Sequence, residues 1–286
     1  MILSRSNREA LHVGMMGRIR KRVLFRLTIM LAGLSIVASI VGLTRVEMYK
    51  PFLPEEMIPG AVSQDLVSIA VAVALLLCFH AINRGSARAW IMWLGFVGYL
   101  FYAYAIYSFD QIYTPLYPMY IAIMGTALYA AIVFFRSMHV AMFDCAELRN
   151  STTLHRVVAM FLLIVAGMFA FSWIKLMVPA IKTGIAPFGN SIIVLDLSFI
   201  LPLLVMTALW LFQGKEWGMF LGGFLLVKMG ALGLSVFIGE LLEPAYGNDL
   251  NPSMVALFAL LGPVSLILAG VWFTRMESLG AKTTVR

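Results

Sequence analysis

Lys228 stands near the middle of an apolar run, in Leu225-Leu226-Val227-Lys228-Met229-Gly230. An unpaired ammonium at the centre of a bilayer costs at least about 2.5–3.5 kcal/mol on insertion scales, so such a group marks a candidate functional site. Asp196 is its natural partner. Counted from a turn centred on Gly214, Asp196 lies 18 residues before and Lys228 14 residues after. At about 1.5 Å per residue their heights differ by about 6 Å, within reach of a lysine stem. Two readings stand side by side: an ion pair that pins two helices, or a site for substrate or proton. Tyr99, Tyr102 and Tyr104 lie too deep in their run to belong to an interfacial aromatic belt. Their hydroxyls need partners inside the bundle. They either tie helices together or line a polar cavity that can take a solute or a flat ligand such as a quinone. Asp110 and Glu240 end their apolar runs on a common side, where nine acids face four bases. That excess is either an acidic mouth that concentrates cations by field focusing or solvated loop charge. For an enzyme acting on a lipid or quinone near headgroup level, Asp110 and Glu240 are the plausible acids.

Other chemistries find no support. A b-type haem site needs two facing histidines, yet His80 alone falls in an apolar run, with His12, His139 and His155 in polar flanks. Cys78 and Cys145 both read as lying at or near the reducing side, which disfavours a structural disulfide. No CxxC, P-loop, HExxH, GxSxG or dinucleotide fingerprint is present. A lone lysine in mid-helix invites comparison with retinal proteins, but there it sits in the last of seven helices, and a full helix follows Lys228. The chain is therefore expected to carry no cofactor and no metal.

The elements that must position these residues are membrane spans. Of 286 residues, 62% are hydrophobic and only 12% charged, with a mean hydropathy of +0.93. Soluble domains carry roughly twice that share of charge, and only a bilayer tolerates so much exposed apolar surface. Eight stretches are long enough to span, near 24–44, 66–83, 89–107, 115–135, 157–177, 193–212, 217–240 and 253–274. Seven Lys and Arg lie in the first 26 residues, and with the N-terminus inside, 16 basic residues fall on the cytoplasmic side against four outside. The positive-inside rule then places both termini in the cytoplasm, in a prokaryotic cytoplasmic membrane. The first apolar core, about 20 residues, exceeds the roughly 7–15 of a signal peptide, so the first helix is expected to be retained. Nucleic acid is excluded as a partner, because no loop combines a basic face with interleaved aromatics. Membrane lipids are the expected surroundings, with further copies of the chain or subunits of a membrane complex as protein partners.

The expected organisation is a basic segment over 1–23, a transmembrane domain over 24–274 and a cytoplasmic tail over 275–286. Loop lengths repeat. Long outer loops at 45–65 and 178–192 are each followed by Asp-Leu, with Asp65-Leu66 opening the second span and Asp196-Leu197 the sixth. Short inner loops then come at 84–88 and 213–216. This pattern is that of a parallel 4+4 duplication, with halves 24–135 and 157–274.

Two stretches carry a resemblance. One contains Asp65-Leu66, Arg84-Gly85-Ser86-Ala87-Arg88, Trp93-Leu94-Gly95, Tyr99, Tyr102-Ala103-Tyr104 and Tyr120. The other contains Val194-Leu195-Asp196-Leu197, Pro202, Lys215-Glu216-Trp217-Gly218 and the run from Leu225 to Gly230. Together, over about residues 62–240, the chain resembles a family of uncharacterised multipass membrane proteins of bacteria and archaea. In that family a D-L, an RGS, a tyrosine-rich helix, a PWG-like turn and an LLVKG run recur in this order. Glu216 replaces the proline of the turn and Met229 intervenes before the glycine. The resemblance implies that Asp196 and Lys228 act as a linked pair, and it brings no activity with it. The leading functional expectation is a carrier or pore for a small solute or ion, through a cavity lined by Tyr99, Tyr102 and Tyr104 around that pair. A non-catalytic membrane partner or scaffold comes second, and an intramembrane enzyme acting on a lipid or quinone third.

Overall fold

A computed structural model describes residues 5–84, 86–137 and 152–276, and is all-α among them. Eight helices are long and apolar enough to cross a membrane: α1 (Arg5–Thr44), α2 (Ile58–Asn83), α3 (Ala87–Phe109), α4 (Tyr117–Ser137), α5 (Thr152–Thr183), α6 (Asn190–Phe212), α7 (Glu216–Leu242) and α8 (Pro252–Arg275). The chain is a multipass membrane protein built as an eight-span bundle. Eight crossings leave the start of α1 and the end of α8 on one face. The opposite face, called here the loop face, carries 45–57, 110–116, 184–189 and 243–251. His139, Cys145, the charged groups of 138–151 and of 277–286, and the side chains before Lys21 lie outside the described part.

Helix boundaries differ from expectation in one consistent way. Asp65 and Asp196 do not open their helices: α2 begins at Ile58 and α6 at Asn190, so each aspartate sits nearly two turns inside. Pro59-Gly60 reads as a loop signal, yet proline at the first helical positions lacks only a donor that would go unused there. On the other side of the second long loop, α5 runs through Pro179 to Thr183, where Gly184 (φ +68°) ends it. The long loops are therefore shorter than read, and the aspartates deeper.

Two central helices, α3 and α7, are the most enclosed. In the first half α1, α2, α3 and α4 pack in a closed ring, α1 meeting both α2 and α4. In the second half α5 packs on α6, α6 on α7 and α7 on α8, but α5 and α8 barely meet. That ring is open.

Small residues set the close crossings. A Cβ on Gly233 would stand 2.7 Å from the Gly262 backbone, so α7 and α8 touch main chain to main chain. Without a hydrophobic drive between helices in lipid, such contacts are a main source of packing energy. Gly218 fits against the Trp210 and Leu211 backbone in the same way, closing the α6–α7 hairpin. Its turn passes through Gly214 at φ +65°, a conformation that glycine adopts without steric cost.

Candidate functional site

Where the open second ring meets α2 and α3 lies a cavity of about 960 Å³. It starts at the loop face, beside Glu56, Glu243 and Asp249, and reaches mid-membrane. Its floor is Tyr102, Val165, Leu204, Lys228 and Leu261, and no lining residue on these helices lies nearer the terminal face. Five of the seven expected site residues line it: Tyr102, Asp110, Asp196, Lys228 and Glu240. Tyr99 and Tyr104 do not.

At the floor, Lys228 (2% exposed) and Asp196 (7% exposed) do not form the direct ion pair expected from their heights. The Tyr102 ring stands between them. Lys228 Nζ lies 3.8 Å from the ring centroid, and the Tyr102 hydroxyl donates to Asp196 Oδ1 at 2.7 Å. Trp173 Nε1 on α5 donates to Asp196 Oδ2 at 2.8 Å. Both carboxylate oxygens are thus satisfied by neutral donors. The ammonium meets the face of an aromatic ring, which attracts a cation through its quadrupole. Asp196 remains the carboxylate whose charge reaches it. The result is a relay, ammonium to phenol to carboxylate to indole, across α7, α3, α6 and α5.

The backbone at Asp196 is shaped for this. Asp196–Ile200 is wound as a π-helix, in which the Leu201 N–H reaches the Asp196 carbonyl five residues back. Pro202 follows. Its ring would press on the carbonyl four residues earlier in an α-turn, and the wider turn relieves that clash. Single π-turns of this kind concentrate at functional sites.

Asp110, at the end of α3, accepts from the Ser191 N–H (3.1 Å) and hydroxyl (2.7 Å). It thereby caps the first turn of α6, satisfying donors that a helix leaves free. Glu240 is half-buried on the cavity wall, one turn before Glu243, whose carboxylate accepts from Asn248 Nδ2 at 2.6 Å. Six carboxylates and one lysine line the cavity, and all but Asp196 and Lys228 lie toward the loop face.

Tyr104 points into the first half, its hydroxyl 3.3 Å from Ser39 Oγ. Tyr99 is fully buried against Ser68 and Ser235. Both face Asp65 rather than the cavity. Tyr49, on the loop after α1, donates to Asp65 Oδ2 at 2.8 Å. Burial, with Tyr107 and Asp65 beside it, pushes the Tyr49 hydroxyl well above the usual phenol range, so it stays a donor across the accessible pH range. Sequence reasoning missed Trp173. Its signal was an indole N–H beside Lys175, a spacing that reads equally as an interfacial belt. His155, expected in a polar flank, is buried in the first turn of α5 with its ring 5.5 Å from that of Trp272. His80 faces outward and Cys78 is buried in α2.

No protein-family model, curated protein or solved structure matches the chain.

Proposed function

We propose that the protein is a membrane carrier whose solute binds in this cavity, between Lys228, Tyr102 and Asp196. The observation that supports the reading is a cavity that runs from the loop face to a buried lysine and ends there. A pore would continue to the other face, whereas a carrier closed on one side has this shape. The solute best matched is a small zwitterion. Its acidic end meets Lys228, whose ammonium makes no hydrogen bond or ion pair among the described residues, and its basic end is drawn by Asp196, Glu240 and the acids of the mouth. Phe169, Leu232 and Phe258 give it apolar walls. In the proposed orientation both termini and the Arg84, Arg88 and Lys215 turns are cytoplasmic, so the cavity opens outward in a prokaryotic cytoplasmic membrane. Asp110 is committed to capping α6, which leaves the enzyme alternative with Glu240 alone. A scaffold has no use for a charge at the floor of a cavity.

The test is uptake into proteoliposomes of labelled glycine, leucine and glycine betaine. The expected result is accumulation of at least one above protein-free vesicles, lost in Lys228→Met and Asp196→Asn. Uptake equal to protein-free vesicles for all three, or unchanged in both variants, overturns the reading.

A further inference from the structure

A second buried aspartate stands in the first half with no cation opposite it among the described residues. Asp65 is 2% exposed, and among the described residues no lysine, arginine or histidine acts on it; the groups facing it are Tyr49, Ser39 and the phenols of Tyr99, Tyr104, Tyr107 and Tyr120. Asp196 provides an internal comparison. Both aspartates lie nearly two turns into the helix after a long loop, and both accept an aromatic hydroxyl or N–H. Asp196 has Lys228 across a ring. In the register that lays Asp196 on Asp65, a shift of 131 residues, Lys228 falls on Val97. The first half supplies no ammonium there.

Around Asp65 the hydroxyls are over-provided. Tyr99, Tyr107 and Ser68 are at least nine-tenths buried, yet their oxygens close no hydrogen bond, although Tyr99 faces Ser68 and Ser235. Unpartnered buried hydroxyls cost free energy unless something accepts or supplies their bonds. The α1 backbone is drawn in to hold the cluster. Gly42 lies so close that a Cβ there would run into the Asp65 carboxylate and the Tyr49 hydroxyl. One carboxylate with neutral oxygens is a hard donor set of single charge. Divalent ions take several carboxylates, and no group of three acids, histidines or cysteines able to hold a metal occurs among the described residues. A proton would satisfy the charge but supplies one hydrogen bond at most, which leaves at least two of the Ser68, Tyr99 and Tyr107 oxygens unpartnered.

We propose that Asp65, with the oxygens of Ser39, Ser68, Tyr99 and Tyr104, holds one alkali cation, and that this is a site distinct from the cavity. It stands without the solute reading, because it needs no solute to be seen.

The experiment is thermal unfolding of the full chain in lipid nanodiscs at constant ionic strength, exchanging choline chloride for NaCl or KCl. The expected result is a saturable rise in Tm with Na+ or K+ that choline does not give. Asp65→Asn should abolish it. Ser68→Ala and Tyr99→Phe should each raise the half-saturating cation concentration about tenfold, the worth of one contact to a charge. If Asp65→Asn fails to fold, these two variants decide. Equal effects of choline and the alkali ions, a cation dependence that survives in Asp65→Asn or is unmoved in Ser68→Ala and Tyr99→Phe, or a Tm that follows pH but no cation, overturns the proposal.

Discussion

Tyr102 serves two charges at once, its ring facing Lys228 and its hydroxyl Asp196. Removing one partner of a buried charged pair strands the other, at about 3–5 kcal/mol, whereas removing both can be near neutral. Lys228→Met is therefore expected to lower Tm more than the double variant Lys228→Met/Asp196→Asn, and a double-mutant cycle in nanodiscs measures the difference. Additive losses would mean the two groups do not sense each other through the ring. Tyr102→Phe keeps the ring and removes the donor, so it should cost about 1.5–3 kcal/mol, the value of a hydrogen bond to a charge. The two charges were legible from residue type and depth. What lay between them was not, because height along a helix says nothing about rotation. On α3, Tyr102, Ile106 and Asp110 follow one another at one face of a 3.6-residue turn, while Tyr104 lies about 200° further round. Tyrosines two residues apart thus serve different halves of the molecule.

Helices were easy to read and their ends were not. Apolar length is a strong signal, and each of the eight expected spans has its helix. Pro59 and Pro179 confused the boundaries, because the first starts a helix and the second lies within one. The π-turn makes a prediction at its own scale. Deleting Ser198 restores regular α-winding and turns Asp196 by about 100° relative to the rest of α6. Far-UV circular dichroism should then be unchanged, while protection of Lys228 from chemical modification by the site is lost. Close crossings give another. Gly233→Ala and Gly262→Ala push backbone against backbone, and each should lower Tm. Gly33→Ala and Gly270→Ala meet nothing within 4 Å and should leave it level or raise it, since alanine favours the helix. Equal effects at all four sites would deny that α7 and α8 are held by close approach.

Across the whole molecule, one half is packed shut and the other is splayed, and the cavity lies where the splayed half meets α2 and α3. Composition and loop charge predict the bundle and its proposed orientation but not this asymmetry, which depends on how α5 and α8 pack rather than on what they contain. The proposed orientation is checked by Asn248→Cys in a Cys78→Ser, Cys145→Ser background. A membrane-impermeant maleimide added to intact cells should label Asn248→Cys, and a cysteine at Lys215 should be labelled only after the cells are broken. The central claim is that the floor of the cavity binds a solute. A cryo-EM map of the protein in lipid nanodiscs tests it most directly. The account predicts ordered non-protein density against Lys228 and Tyr102, continuous with the loop face. A dry floor, with the Lys228 ammonium closed directly onto Asp196, would contradict it and make the pair a structural pin.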